Sequence, residues 1–172
     1  MPLRPVVNDI LDESAVMKLL YICTHNRCRS ILSEAITNHL SDGSMVAKSA
    51  GSQPVGEVHP LSIRYLQEAG ISTEGLRSQS WDDFESFAPN VVVTVCDSAA
   101  GESCPVWFGN TIKIHWGLSD PSKLQGSEED IADAFRHTIA IITERVKQLQ
   151  TIAAQNLDQQ ALRVALDALV NG

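Results

Sequence analysis

The chain has 172 residues, 44% of them hydrophobic and 20% charged, which suits one soluble globular domain able to bury a core without staples. Its net charge of −8 argues against a nucleic-acid or anionic-membrane surface, although a small anion held by a few local donors fits well. Nothing resembles a signal-peptide core or a membrane span, so a cytoplasmic location is expected; four cysteines there suggest catalysis, redox chemistry or metal binding over a static disulfide framework.

Residues 1–16 read as an N-terminal extension, followed by a single domain over 17–172. The domain opens on an apolar run, Met17 to Ile22, with the composition of a buried strand. The loop "CTHNRCRS" follows and leads into a helical pattern over Ile31–Leu40, then a weaker strand over Met45–Ser49. A helix is expected over Leu61–Ala69, with Gly70 as its stop, and strands over Val91–Val95 and Thr111–Trp116. A long helix, Ile131–Leu149, is announced by Ser127 as N-cap with Asp130 three residues later. An amphipathic segment, Gln159–Val170, ends the chain. Alternating strands and helices predict an α/β fold, a small doubly wound three-layer structure with a four-stranded parallel sheet. In such folds the ligand crevice lies beyond the strand C-termini, which would gather Cys23, Cys96 and Asp120 at one sheet edge.

The loop after the first strand carries the strongest chemistry. A strand-to-helix loop aims successive N–H groups inward and adds the positive end of the helix, forming an anion cradle from Thr24, His25, Asn26, Arg27, Cys28 and Arg29. Cys23 stands at its base, where amides and guanidinium favour thiolate over thiol. Depressing a thiol pKa of ~8.5 by about two units, some 2.7 kcal/mol, would make the thiolate the major form at neutral pH. Arg29 can grip two oxygens of a tetrahedral oxyanion as a planar fork, and Ser30 can donate a hydrogen bond to the thiolate. Lacking glycine, the loop is expected to place Asn26 in a left-handed conformation. The glycines and lysine of nucleotide-binding loops are missing. A thiol in the cradle points instead to covalent attack on the bound anion.

"CTHNRCRS" resembles the loop of the low-molecular-weight protein tyrosine phosphatases and related arsenate reductases, and "SDP" over Ser119–Pro121 matches their Asp-Pro loop. That resemblance implies Cys23 as nucleophile and Asp120 as general acid. Beside it, Asp120 also reads as an ordinary turn initiator before proline. The segment "TVCDSAAGESCPVW" is similar to the arsenate reductase branch, with Cys104 eight residues after Cys96 across a small polar stretch. The resemblance to that branch, thioredoxin-coupled type above all, implies reduction of arsenate to arsenite for detoxification and arsenical resistance. Cys23 would form the arsenic adduct, Cys96 would displace arsenite to give a Cys23–Cys96 disulfide, and Cys104 would pass the disulfide to Cys96–Cys104 for an external thiol reductant. Both thioredoxin and glutathione with glutaredoxin stand open as that reductant, and no tightly bound cofactor is expected. Some relatives bind a potassium ion beside the loop, for which Asn26, Glu34, Ser49 and Asp82 are the matching positions. Glu34 also reads as an exposed helix residue, and Asp82 as part of a helix start.

Other readings stand beside this one. A phosphatase needs only the first thiol and a water, but the aromatic residues that usually follow its acid are replaced here by Ser122 and Lys123. Residual phosphatase activity stays open. Four cysteines could bind zinc, although Arg27 and Arg29 would crowd a thiolate cluster. A non-catalytic oxyanion sensor is the remaining class. Cys28 reads as a buried thiol at a helix start; His39, His59, His115 and His137 show no ligand spacing and read as structural.

Overall fold

The computed structural model describes residues 16–95, 111–155 and 157–171. The expected extension therefore lies outside the described residues but for Val16, as do Cys96 and Cys104. Four strands, β1 (Met17–Ile22), β2 (Met45–Ala50), β3 (Val91–Thr94) and β4 (Ile112–His115), form one parallel sheet in the order β2-β1-β3-β4. Four helices connect and follow them: α1 (Arg29–Leu40), α2 (Pro60–Glu68), α3 (Glu128–Ala153) and α4 (Gln159–Asn171). This is the α/β fold with a four-stranded parallel sheet expected from the alternating pattern. Among the described residues no helix is long and apolar enough to cross a membrane.

Burial explains the strand compositions. β1 is central, with Leu19 beside Val91 on one side and Ala47 on the other, and five of its six residues are buried. A strand covered on both faces requires such a continuous apolar run. β4 is an edge strand and alternates, burying Ile112 and Ile114 while exposing Lys113 and His115. Phe135, Ile142 and Val146 bring the apolar stripe of α3 into the same core. Both expected helix signals are present. Ser127 and Asp130 form a reciprocal capping box, and Gly70 adopts φ 78° just past α2.

The strand order also positions the site. The chain runs outward from β1 to β2, then returns to the opposite side of β1 as β3. The direction therefore reverses between β1 and β3, and the crevice beyond their C-terminal ends is where an open α/β sheet binds ligands. Cys23 is the first residue past β1, and Val95, past β3, donates its N–H to the Ile22 carbonyl.

Candidate active site

The loop from Cys23 to Cys28 is turned so that its carbonyls face away from the crevice. The Thr24 carbonyl accepts from Gln53 N–H (2.9 Å), His25 from Val55 N–H (3.3 Å) and the Ser78 hydroxyl (3.1 Å), and Arg27 from His59 N–H (2.9 Å). In a trans peptide the following N–H points opposite to the carbonyl. The amides of His25, Asn26 and Cys28 are thus directed into the loop, as an anion cradle requires. Helix α1 then begins at Arg29 with no side-chain cap and no acidic residue in its first turn. The first turn itself therefore adds no negative charge to offset the positive end of the helix.

Asn26 holds this shape. It has φ 48°, the left-handed conformation expected of it, and is wholly buried. Its amide donates to Ser30 Oγ (2.8 Å) and Ser49 Oγ (3.0 Å), while its oxygen accepts from Gln79 N–H (2.7 Å). Ser30 is buried behind the cradle and spends an acceptor on Asn26, which leaves its own proton to give elsewhere. Gly51 presses against the loop from β2's end: a Cβ there would lie 2.4 Å from the Thr24 carbonyl and 2.7 Å from that of Cys23. The backbone hydrogen bonds of Gly51 to Gln79 and Trp81 fix it in place.

In front of the cradle lies a cavity of about 260 Å³ lined by Cys23, Thr24, His25, Arg27, Cys28 and Arg29 from the loop, and by Asp120, Ser122 and Lys123 from the segment after β4. Cys23 is 6% exposed. Arg29 crosses from one set to the other, donating from Nη1 to the Leu118 carbonyl (2.9 Å) and lying 3.5 Å from Asp120 through Nη2. Its Nε is buried and has no hydrogen-bond partner among the described residues. A guanidinium edge presented this way suits an oxyanion. Asp120 keeps one oxygen on Ser122, accepting from its N–H (2.9 Å) and hydroxyl (2.6 Å), and turns the other toward Arg29. Its turn-initiating role and its place at the cavity are therefore both real.

Cys28 is buried, as expected of a helix-start thiol. Burial pushes its thiol up to about 12; a hydrogen bond to Ser62 works against that, Asp120 adds to it and Arg29 opposes it. At neutral pH this burial favours the protonated thiol of Cys28. His59 has the structural role read from the sequence, and the structure adds a place at the cavity. It caps α2, accepting from Leu61 N–H at Nδ1 (3.1 Å), and it also lines the cavity. Burial and then the Arg27 charge hold its pKa below the ordinary histidine value, against the pull of Asp120. The usable signal was the "HP" pair, an N-cap before a proline at N1. Gly51 and Gln79 carried no comparable signal, because their contacts with the loop are made across the fold.

Three of the four potassium positions come together. The Ser49 hydroxyl donates to Glu34 Oε1 (2.6 Å), and Ser49 in turn accepts from Asn26. Glu34 is buried, not exposed, and burial raises its carboxyl above the usual range against the Ser49 hydrogen bond. Asp82 is exposed at the start of a short 3-10 helix capped by Ser80, and among the described residues no hydrogen bond or ion pair joins it to the other three.

Residues 18–162 match the family described as low molecular weight phosphotyrosine protein phosphatase. The chain belongs to this family. Within it, the chain is similar to proteins named arsenate reductase. That of Bacillus licheniformis is 33% identical over 131 residues, covering 76% of this chain and 92% of the relative. The glutaredoxin arsenate reductase of a Synechocystis species is 28% identical over 132 residues, covering 77% and 95%. A solved structure described as an arsenate reductase in the phosphate binding state superposes with a TM-score of 0.68 at 27% identity, covering 80% of this chain and 99% of that one.

Proposed function

We propose that this chain reduces arsenate to arsenite, with Cys23 as nucleophile, in arsenic detoxification. The observation that carries the reading is the single cavity bringing the Cys23 thiol, the cradle and Asp120 together, in a chain whose relatives bear the name arsenate reductase. Arsenate, a tetrahedral oxyanion, is received by the inward amides and by Arg29. The Cys23 thiolate attacks arsenic and displaces one oxygen, which leaves as water with a proton from Asp120. Ser30 stabilises the thiolate when it later departs.

The next steps use the two thiols that follow β3 in sequence. Cys96 attacks the Cys23 sulfur; the arsenic–sulfur bond breaks, its electron pair goes to arsenic, and arsenite leaves as a Cys23–Cys96 disulfide forms. Cys104 then attacks Cys96, freeing Cys23 and leaving a Cys96–Cys104 disulfide. An external dithiol, thioredoxin or glutaredoxin with glutathione, takes that disulfide back to thiols in a reducing cytoplasm. The potassium proposal is supported by a buried side chain, Glu34, that accepts from the Ser49 hydroxyl, although Asn26 turns its NH2 toward Ser49 and gives its oxygen to Gln79 N–H. Hard oxygen donors suit such a cation, which would brace the back of the cradle. Melting in KCl against NaCl at equal ionic strength tests it; equal midpoints would refute it.

The phosphatase alternative differs in what surrounds the anion. Among the described lining residues the only rings are those of His25 and His59, with no phenyl, phenol or indole to hold an aryl ester. The deciding experiment is arsenate turnover with thioredoxin and with glutaredoxin plus glutathione, run beside p-nitrophenyl phosphate hydrolysis. Turnover with at least one reductant, abolished in Cys23→Ser, is expected. In Cys104→Ser, about one arsenite per enzyme should form before cycling stops. Vigorous phosphate-ester hydrolysis without arsenate reduction would overturn the reading.

A further inference from the structure

Asp120 stands on a segment that leaves β4 at its C-terminus, and two arginines from different helices hold that segment. Trp116, the first residue past β4, donates its N–H to the Thr94 carbonyl and so stays attached to the sheet. Its own carbonyl faces off the edge strand, where no further strand exists among the described residues to receive it. Arg145, from the middle of α3, fills that role with Nη1 at 2.9 Å. The same guanidinium lies over the Trp116 indole, 5.7 Å from its centroid. The indole in turn packs on buried Tyr21 of β1, with ring centroids 5.4 Å apart. Gly117 then turns the chain with φ 61°, Leu118 returns to bond Val95, and Arg29 takes the Leu118 carbonyl. Asp120 follows two residues later.

Arg145 is an unusual choice for this position. It is half-buried, and among the described residues no carboxylate pairs with it. A partly desolvated cation met, among the described residues, by one carbonyl and one ring face is a costly way to hold a core together. A guanidinium does, however, fix a carbonyl and a ring face together in direction, because its donors are rigid and planar.

We infer that Arg145 is a positioning residue for the proton donor: it locks the Trp116 carbonyl and indole, and thereby sets where Asp120 stands relative to the anion in the cradle. Arg29 fixes the near end of the segment and Arg145 the far end. The inference rests on the proposed role of Asp120 as proton donor. Arg145 does not line the cavity and is expected to leave anion binding alone.

A double-mutant cycle on the first half-reaction tests this, read as single-turnover arsenite formation by reduced enzyme without external reductant. Arg145→Met should slow that step about tenfold, since an ångström-scale misplacement of a reacting group costs up to about 10²-fold. Arg145→Lys, keeping one donor, should recover part of the loss and serves if the methionine variant folds poorly. Inhibition by phosphate should stay within about twofold of wild type in both. In an Asp120→Asn background, itself slowed about 10²-fold or more, Arg145→Met should add nothing. Equal fold-losses in both backgrounds would overturn the positioning role while leaving Asp120 as the donor. An Asp120→Asn enzyme as fast as wild type would instead overturn the donor assignment itself.

Discussion

Replacing Gly51 by alanine inserts one methyl group into the back wall of the cradle. The backbone of Gly51 is not left-handed, so alanine suffers no conformational penalty there and the effect isolates sterics. The new Cβ would meet the Thr24 carbonyl oxygen at 2.4 Å, the Cys23 carbonyl oxygen at 2.7 Å and Asn26 Cβ at 3.1 Å. Ordinary contact begins near 3.4 Å, so a displacement of roughly 1 Å is needed. No flexible side-chain tip is available to absorb it. The two nearest atoms are backbone oxygens of the loop that carries Cys23, and Thr24 is tied by its bond from Gln53. Overpacking of this kind costs about 1–3 kcal/mol, a fall in melting midpoint of roughly 2–12 °C for a chain of this size. A 1 Å shift of the cradle should cost about 10²-fold in arsenate turnover. Steady-state turnover and calorimetry on Gly51→Ala check both figures. Activity within threefold of wild type with an unchanged midpoint would refute the claim that the cradle's shape depends on this contact.

Further outcomes follow from the same geometry. Asn26→Gly and Asn26→Ala both lose the bonds to Gln79, Ser30 and Ser49, but only alanine also strains at φ 48°; urea titration should find the alanine variant less stable by about 1 kcal/mol. His59 has a folded pKa below its unfolded one, so the folded state binds its proton less readily. Its contribution to stability should be complete above about pH 6.5 and be lost as pH falls through the folded value; His59→Asn should flatten the stability profile in that acid window. Cys28, buried with its thiol pushed up to about 12, should resist iodoacetamide at pH 7 in the folded enzyme while Cys23 is alkylated. Peptide mapping that finds Cys28 modified as fast as Cys23 would contradict its assignment as a buried, protonated thiol.

Local signals determined a large part of this protein. The apolar run before Cys23, the alternation of strands and helices, the Ser127–Asp130 cap and the glycine stop at Gly70 each depend on neighbours a few residues away, and each is found where the sequence places it. The left-handed Asn26 was readable for the same reason: a tight loop without glycine leaves few residues able to take that conformation. Cys23 and Arg29 could be named as candidates from the chemistry of their own loop, and Asp120 from the resemblance carried by "SDP". What only the tertiary structure decided are contacts made across the fold. Gly51 looks like any glycine after a strand until two carbonyls are found against it, and His59 reads only as structural until the cavity brings it beside Arg27 and Asp120. Glu34 reads either as a candidate cation ligand or as an exposed helix residue; Ser49, from β2, gives its carboxylate a buried partner. Arg145 is one more charge on a long helix until Trp116 supplies its carbonyl and ring. Sequence registers what a residue is and which neighbours it has along the chain. The shape of the cradle, and where its acid stands, depend on side chains and carbonyls that meet only when the sheet is assembled.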